Sequence, residues 1–210
     1  MKDTGNIEER YLESCRKEFW QKVFQFELQY LIEHLEGCRD VLSVGCGPAI
    51  IEAGLAEQGF RVVGLDVSRE ALSCAPDSIR KVVGSAEDMN FRESSFDAAI
   101  FVASLQFIED YKKAILKTAQ ALRPNGKLIV MLLNPESDYF RERIRKYDSY
   151  VRKIRHDNLK EIETSIAEFF QIVTEYFLGI RGENIFDSSD PSEAALYIIR
   201  GTPKIMEWEL

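Results

Sequence analysis

Two glycines, Gly45 and Gly47, stand between an apolar run and a segment with helical periodicity. A glycine turn lets the backbone approach a ligand closely, and the N–H groups of the following helix favour anionic groups. Asp66 ends the next apolar run, about twenty residues further on, where a carboxylate would accept hydrogen bonds from a ribose diol. This spacing indicates an adenosine-type ligand. The alternatives are a ligand-free turn and an Asp66 that only caps the next helix.

The residues after the glycine pair distinguish between classes of ligand. A dinucleotide-binding turn needs a third glycine three positions after the second, where helix and strand pack closely beside the pyrophosphate. This chain has Ile50 there. A bulky branched side chain at that position disfavours NAD and FAD.

The elements that must position these residues alternate along the chain. Five apolar segments are predicted strands: "DVLSVG", "RVVGLD", "IRKVVG", "FDAAIFVA" and "KLIVMLL". Helical patterns follow four of them, one with Pro48 as its first residue and one capped by Ser68. The segment "RPNG" is a predicted turn before the fifth strand. Val/Ile/Leu-rich strands alternating with helices predict a parallel sheet covered on both faces.

Both flanks of this alternating region have their own patterns. Residues 7–36 have the apolar spacing of a helix that stops at Gly37. After Asn134, apolar stripes over 140–154 and 159–169 predict two more helices. Two late strands, "FQIVTEYFLGI" and "AALYIIRG", are joined by a short polar link, which fits an antiparallel pair.

Composition limits the partners and the location. The net charge is −8, and this field disfavours duplex nucleic acid. Four scattered cysteines without CxxC spacing and two histidines disfavour a structural zinc site, so no metal is predicted. The polar N-terminus and a longest apolar run of only 128–133 argue against a signal peptide and a membrane span. A cytoplasmic protein is the expectation.

Five motifs occur in order between residues 39 and 134: Gly45-Cys46-Gly47-Pro48, Asp66, Ser85-Ala86-Glu87-Asp88, Phe96-Asp97 and "ALRPNGKLIV". Together they resemble the class I S-adenosylmethionine-dependent methyltransferases. The chain is most similar to the small-molecule branch that includes the ubiquinone/menaquinone biosynthesis methyltransferases. The cofactor that this resemblance implies is S-adenosyl-L-methionine, with S-adenosyl-L-homocysteine as product.

The resemblance also implies the architecture. It is an α/β, Rossmann-like, doubly wound and mostly parallel seven-stranded sheet whose last strand is antiparallel, in agreement with the pattern of the late strands. A single methyltransferase domain over 1–210 is expected. Its parts are an N-terminal helical cap (1–38), a cofactor-binding core (39–134), a helical insertion after the fifth strand (135–169) and C-terminal strands (170–202).

Nine residues match the cofactor-binding positions of the family. The resemblance places the backbone of Gly45, Cys46 and Gly47, together with Val102, beside the methionyl group. It places Asp66 on the ribose hydroxyls, Val67 beside the adenine, and Ser85 and Ala86 at the adenine edge, followed by Glu87.

The chain departs from the family pattern at two positions. Many relatives carry an acidic residue at the position of Ser43 and a glycine at the position of Ala49. The first change is expected to weaken the hold on the amino group of the cofactor, and the second to narrow the turn. Both bear on affinity more than on the identity of the cofactor.

The chemistry that the resemblance implies is an in-line displacement, which needs alignment of donor and acceptor and exclusion of water. A general base helps only when the acceptor must lose a proton early. No catalytic residue is assigned. His156, between the inserted helices, is a candidate base, although a solvated loop histidine is the favoured interpretation, and His34 is expected at the surface. Trp20, Tyr139 and Tyr147 are expected in the core, whereas Tyr11 and "NPES" at 134–137 are candidates for the pocket edge.

A basic run stands out in this acidic chain: Arg141, Arg143, Arg145, Lys146, Arg152, Lys153 and Arg155. The favoured interpretation is the solvated face of an amphipathic helix. The alternative is a surface that draws in an anionic acceptor.

The leading prediction is therefore a methyltransferase that acts on a small molecule. The rival is a catalytically silent S-adenosylmethionine-binding module that serves as a sensor or partner protein, suggested by Ser43, Ala49 and the lack of an evident base. An NAD-linked oxidoreductase ranks third.

Overall fold

The computed structural model describes residues 14–15, 17–147 and 149–204. Within them the strands are β1 (Asp40–Val44), β2 (Arg61–Asp66), β3 (Arg80–Val83), β4 (Phe96–Val102), β5 (Leu122–Leu133), β6 (Phe170–Arg181), β7 (Asn184–Phe186) and β8 (Ala194–Pro203). The helices are α1 (Glu18–His34), α2 (Ile50–Glu57), α3 (Arg69–Ser73), α4 (Tyr111–Ala121), α5 (Asp138–Arg145) and α6 (Leu159–Ala167), with 3₁₀ turns at Leu105–Phe107 and Tyr150–Lys153. In this part of the chain, none of the helices has the length and apolar character needed to cross a membrane.

The strands form one sheet in the order β3-β2-β1-β4-β5-β8-β6-β7. The first five strands of the chain pair in parallel, and β8 lies between β5 and β6, antiparallel to both. The predicted α/β sheet with an antiparallel last strand is thus confirmed. The strand number differs: β7 is an eighth strand, which turns back on β6 through Gly182.

The order of the strands determines where a ligand can bind. β1 pairs with β2 on one side and with β4 on the other, so the winding direction of the sheet reverses at β1. Loops that leave adjacent strands in opposite directions open a crevice at their carboxyl ends, where open α/β sheets bind ligands. The glycine pair, Asp66 and Val102 all stand at this edge.

Two apolar layers cover the two faces of the sheet. One holds Leu31 and Leu35 from the end of α1 and its loop, with Leu55 of α2. The other holds Ile115 of α4 and Ile166 of α6. Alternate residues of the central strands supply the two layers, as the period of two of a β-strand requires.

Two local predictions at turns were wrong. α2 begins at Ile50 rather than Pro48, because Gly47 and Ala49 both take left-handed conformations (φ +54° and +56°) and lengthen the turn. The segment "RPNG" does not interrupt the fifth strand. The register moves from Phe96↔Leu122 to Ala98↔Lys127, so the extra residues of β5 bulge while the strand continues.

The limits of the flanking helices differ from the predicted ones within the residues that the structure describes. α1 covers Glu18–His34 of the predicted 7–36, and residues 1–13 and 16 lie outside the described part of the chain. The stripe over 140–154 is split between α5 and the 3₁₀ turn. Arg152 donates to the carbonyl of Ile144 at 3.0 Å, which satisfies a backbone acceptor near the end of α5.

Asp97 of the Phe96-Asp97 motif has a structural role at the opposite edge of the sheet. Its carboxylate accepts hydrogen bonds from the backbone N–H groups of Arg39 and Asp40, at 2.9 and 2.8 Å, and from the Arg123 guanidinium. Burial would raise the pKa of Asp97, but these donors outweigh burial and lower it. Asp97 therefore fastens the start of β1 to β4 and does not face the crevice.

Candidate functional site

A cavity of about 1110 Å³ opens at the carboxyl ends of β1, β2 and β4. All nine residues predicted for the cofactor line it: Gly45, Cys46, Gly47, Asp66, Val67, Ser85, Ala86, Glu87 and Val102. Pockets for small molecules usually measure about 300–1,000 Å³. This cavity is large enough for a nucleoside-sized ligand together with a second small molecule.

The glycine turn leaves no room for a side chain at its first glycine. Gly45 has φ +74°, and a Cβ there would lie 2.6 Å from the Cβ of Ser104. Ser104 is itself fixed, since its hydroxyl donates to the carbonyl of Val44 at 2.6 Å. A Cβ on Gly47, by contrast, would meet no heavy atom within 4 Å. The turn is therefore packed at Gly45 and open at Gly47.

Asp66 joins the glycine turn to the loop after β2. One carboxylate oxygen accepts from the N–H of Gly47 and the other from the N–H of Ser68, both at 2.8 Å. Ser68 caps α3 as predicted, accepting from the N–H of Ala71 at 3.1 Å. Asp66 thus supports the loop at the start of α3, which was one alternative for it. A carboxylate has about four acceptor positions, so capacity remains for a ligand diol.

The loops after β2 and β3 supply the part of the cavity wall that was predicted to meet the adenine. Val67 is 71% exposed, an unusual state for an apolar side chain that lines a pocket, and it offers a surface for a flat ring. Glu87 is fixed at both ends, because its N–H donates to the Ser85 hydroxyl at 3.2 Å and its carboxylate accepts from the N–H of Asp110 at 2.6 Å. Ser85 and Ala86 are positioned by the same turn.

Ser43 is paired with an acid from another element. Its buried hydroxyl donates to Glu52 of α2 at 2.5 Å, and Glu52, 3% exposed, lines the cavity. Burial raises the pKa of Glu52 to about 7, although the bond from Ser43 acts in the opposite direction. Glu52 therefore places a carboxylate beside position 43, where the resemblance led us to expect an acid. The sequence analysis did not predict Glu52 as a site residue, because the only indication was a single acid within the apolar helical pattern "PAIIEAGLA".

Ala49 has a backbone conformation that favours glycine, the residue that the family pattern led us to expect at this position. It lies at φ +56° and ψ +42°, a left-handed conformation that costs an L-residue about 1–2 kcal/mol. Its side chain is fully buried. The turn therefore holds the methyl group of Ala49 at the cost of backbone strain.

Beyond the nine motif residues the cavity is lined by an aromatic wall, which consists of Trp20, Phe24, Phe107 and Tyr150. Trp20 and Phe24 of α1 stack at 6.1 Å, and Tyr150 lies 6.4 Å from Trp20 and 6.2 Å from Phe107. These rings line the cavity, as do Tyr139 and Tyr147. Tyr139 is buried in the core as expected, and Trp20 packs against that core, although both also line the cavity. The expectation was wrong for Tyr147, which is 95% exposed. Tyr11 lies outside the described residues.

A second acid, Glu27 of α1, lies at this end of the cavity. It is only 5% exposed. Burial, and to a smaller extent the nearby Glu52, raises the pKa of Glu27 to about 8. Sequence reasoning missed Glu27, because an isolated acid in a charge-rich helix looks like a solvated residue.

Two candidates for the pocket, His156 and the segment at 134–137, do not line the cavity, and neither does His34, which was expected at the surface. The Nε2 atom of His156 lies 3.0 and 3.1 Å from the carbonyls of Ile108 and Glu109, and so fastens the loop before α4. His34 bonds the carbonyl of Tyr30 at 2.8 Å. In "NPES", Asn134 donates to the carbonyls of Pro191 and Ala194, and Ser137 caps α5. These roles are structural.

The basic run divides into two groups. Arg143, Lys146, Arg152 and Lys153 line the cavity. Arg141 pairs with Asp138 and Arg155 with Glu109 on the surface, as expected for a solvated face. Part of the run therefore lines the cavity, and another part forms ion pairs on the surface.

Gln106 holds the loop after β4 against the sheet. Its fully buried amide donates to the carbonyl of Leu133 at 3.1 Å and accepts from the N–H of Leu133 at 2.7 Å. Replacing Gln106 by alanine leaves both backbone groups unpaired, so we expect a loss of about 2 kcal/mol in the free energy of unfolding. Urea denaturation measures it. Gln120→Ala, on the exposed side of α4, is the control, and equal effects of the two variants would contradict this role.

Comparison with known proteins agrees with this geometry. The family described as "Methyltransferase domain" matches residues 42–130. A ubiquinone biosynthesis O-methyltransferase of Rickettsia typhi is 24% identical over 206 residues, covering 86% of this chain and 82% of that protein. One of Idiomarina loihiensis is 28% identical over 123 residues, covering 54% of this chain and 51% of that protein. The chain thus spans about half the length of this second relative.

A solved structure shares the fold over almost the whole chain. It is an S-adenosylmethionine-dependent methyltransferase of Thermotoga maritima, described as a possible histamine N-methyltransferase. The TM-score is 0.78 at 23% identity, covering 94% of this chain and 98% of that one. The five motifs, the order of the strands and these matches together lead to one assignment. Residues 42–130 belong to the methyltransferase domain family, and the chain as a whole is similar to the class I S-adenosylmethionine-dependent methyltransferases.

Proposed function

We propose that this protein is an enzyme that transfers the methyl group of S-adenosyl-L-methionine to a small-molecule acceptor and releases S-adenosyl-L-homocysteine. One observation carries the proposal. A single cavity is lined at one end by the nine motif residues and at the other by side chains of α1, α5 and the 3₁₀ turn at Tyr150–Lys153. Donor and acceptor therefore have adjoining places within one enclosure.

The transfer needs positioning above all. The acceptor atom forms a bond to the methyl carbon while the carbon–sulfur bond breaks, and the electron pair of that bond neutralises the sulfonium. The protein contributes by fixing donor and acceptor in line and by excluding water. The aromatic wall and the fixed glycine turn suit this task.

We assign the cofactor as the resemblance implies. Gly45, Cys46, Gly47 and Val102 take the methionyl part, Asp66 the ribose, and Val67, Ser85, Ala86 and Glu87 surround the adenine. We add Glu52 as the partner of the cofactor ammonium group, because it lines the cavity beside Ser43, where relatives carry an acid.

In this proposal each of the four segments of the chain has its own role. The core at 39–134 holds the cofactor, the cap at 1–38 and the insertion at 135–169 roof the acceptor, and the strands at 170–202 complete the sheet within one domain of 1–210. Trp20, Tyr139 and Tyr150 support this division, since α1 and the insertion supply them to the same cavity.

A turnover assay tests the proposal. The full chain is incubated with the methyl donor and a panel of amines, thiols, phenols, carboxylates and metalloids, and release of S-adenosylhomocysteine is followed. Acceptor-dependent release is the expected result. Tight binding of the donor without release for any acceptor would favour the silent binding module instead.

We further propose that the acceptor carries an anionic group that faces the basic side chains of the cavity. Replacing Lys146 and Lys153 together by serine should raise KM for such an acceptor about five- to tenfold and reduce the effect of salt on KM. Steady-state kinetics at two ionic strengths measure this. Lys112→Ser with Lys117→Ser on α4 makes the same change in charge away from the cavity. Equal KM values in the two double variants would contradict the proposal.

A cytoplasmic location is also proposed. Cys38, Cys46 and Cys74 are thiols rather than disulfides in the described part of the chain, as is usual in a reducing compartment.

A further inference from the structure

Glu27 is a buried carboxyl group without a protein partner. It is 5% exposed and faces the cavity, and no hydrogen bond or ion pair joins its side chain to any residue that the structure describes. Burial of an ionisable group raises the free energy of the folded state unless the group is paired, so unpaired buried groups are rare in native proteins and call for an explanation. A carboxyl group in this state at a ligand cavity is ready to bind a ligand.

A second unpaired group lies in the same chamber. The Tyr139 hydroxyl is buried, lines the cavity and makes no hydrogen bond of normal geometry with the described residues, although the nearby Arg143 guanidinium acts to lower its pKa. Arg143, the basic residue of α5 that lines this region, stacks 5.3 Å above the rings of both Trp20 and Tyr139. It forms no ion pair with Glu27 in the described chain. No basic side chain therefore neutralises Glu27 within the described residues.

The chemistry of this chamber selects one kind of ligand group. Glu27 and Glu52 repel an anion, and a neutral apolar group would leave both Glu27 and the Tyr139 hydroxyl unpaired. A cationic nitrogen satisfies the carboxylate through charge-assisted hydrogen bonds and lies favourably against aromatic faces such as Trp20 and Phe24.

We propose that the acceptor is a primary or secondary amine, bound and deprotonated by Glu27. This inference rests on the proposed function and specifies its acceptor. Together with the basic side chains that line the same cavity, it describes an acceptor that carries both an amine and an anionic group.

The transfer balances with Glu27 as the base. The acceptor enters as an ammonium ion, and the Glu27 carboxylate takes one N–H proton. The freed lone pair forms the nitrogen–methyl bond while the carbon–sulfur bond breaks, and its electron pair stays on sulfur. The products are a methylated ammonium ion, S-adenosylhomocysteine and protonated Glu27, which returns its proton to water. Burial and the proximity of Glu52 raise the pKa of Glu27, which makes its carboxylate a stronger base than usual.

The test compares matched ligands and matched variants. The probes are arylalkyl and alkyl skeletons, each in amine, alcohol and carboxylate forms. Their binding is measured by calorimetry on the full chain saturated with S-adenosylhomocysteine, and their methylation with the methyl donor. The variants are Glu27→Gln and Glu33→Gln, the second being an exposed acid of the same helix that does not line the cavity.

We expect the amine of at least one skeleton to bind and to be methylated in preference to its alcohol and its carboxylate. Glu27→Gln should weaken amine binding about tenfold or more and reduce kcat, whereas Glu33→Gln should change neither. Affinity for S-adenosylhomocysteine should be the same in both variants. Should Glu27→Gln not fold, the preference of the unmodified protein and the affinity of Tyr139→Phe for the amine decide the matter.

Two results would overturn the inference. One is a preference for alcohols or carboxylates, or no binding of any amine. The other is a Glu27→Gln variant that binds and methylates amines as the unmodified protein does. A protein that binds S-adenosylhomocysteine but prefers another acceptor would leave the methyltransferase proposal intact. A protein that does not bind S-adenosylhomocysteine would contradict that proposal itself.

Discussion

Replacing Asp66 by alanine is expected to weaken the binding of S-adenosylmethionine by about two orders of magnitude, since hydrogen bonds to a charged group contribute about 1.5–3 kcal/mol each. The carboxylate ends β2 at the crevice and has acceptor positions left for a ribose diol. The same change also removes the acceptor that orders Gly47 and Ser68, at 2.8 Å each. Loss of these bonds loosens the glycine turn and adds to the effect.

Calorimetric titration with S-adenosylmethionine measures the change. Asp77→Ala is the control, because Asp77 is fully exposed and does not line the cavity. Asp66→Asn separates the two roles of the side chain, since the amide retains one acceptor oxygen and loses the charge. If Asp66→Ala binds the methyl donor as tightly as Asp77→Ala does, Asp66 does not hold the ribose.

Replacing Gly45 by alanine should lower the free energy of unfolding by about 3 kcal/mol, because overpacking a filled site and forcing a side chain into a left-handed conformation both carry a cost. The new Cβ would lie 2.6 Å from the Cβ of Ser104, whose hydroxyl is tied to the carbonyl of Val44. Relief of the clash requires movement of β1 or of the loop after β4, and both border the cavity. Binding of the methyl donor should fall as well.

Gly47→Ala is the matched control for Gly45→Ala. Its φ is +54°, yet a Cβ there would meet no heavy atom within 4 Å. Only backbone strain remains, so a loss of about 1 kcal/mol is expected. Urea denaturation of both variants gives the comparison. Equal losses would show that the contact with Ser104 does not limit the turn.

The two buried acids give the cavity two different charged positions. Glu52 lies beside Ser43 near the glycine turn, and Glu27 lies on α1 toward the aromatic wall. Burial raises the pKa of both carboxyl groups; Glu52 adds to the shift of Glu27, and Asp66 adds to the shift of Glu52. In the proposed assignment the first meets the ammonium group of the cofactor and the second meets the amine of the acceptor.

The sheet could be predicted from the sequence because its strands are buried on both faces. Such strands are continuous apolar runs, and "RVVGLD" coincides with β2 at both ends. The Ser68 cap and the antiparallel late strands followed from equally local rules. β7 was missed because three residues in a polar segment carry too little pattern.

The limits of the helices were harder to predict because they depend on tertiary contacts. Pro48 is a suitable first residue for a helix, yet the turn continues through Ala49 in order to bring Gly47 to Asp66. The stripe over 140–154 continues in the sequence, but α5 ends at Arg145. The local residue pattern does not indicate the start of α2 or the end of α5.

The candidate site was predictable in part for the same reason. The nine residues predicted to bind the cofactor follow or end strands, where the topology brings them together, and all of them line the cavity. Glu27 and Glu52 lie on helices, and their burial depends on how α1 packs against α2. Contacts between helices that are distant in the sequence cannot be predicted from the position of a single acid. For this reason the sequence analysis identified neither Glu27 nor Glu52.

The central claim is that this crevice binds the methyl donor, and calorimetric titration of the full chain with S-adenosylmethionine, S-adenosylhomocysteine and NAD tests it most directly. The account predicts one-to-one binding of the first two ligands and no binding of NAD. Tight binding of NAD with no response to either methyl-donor species would contradict it.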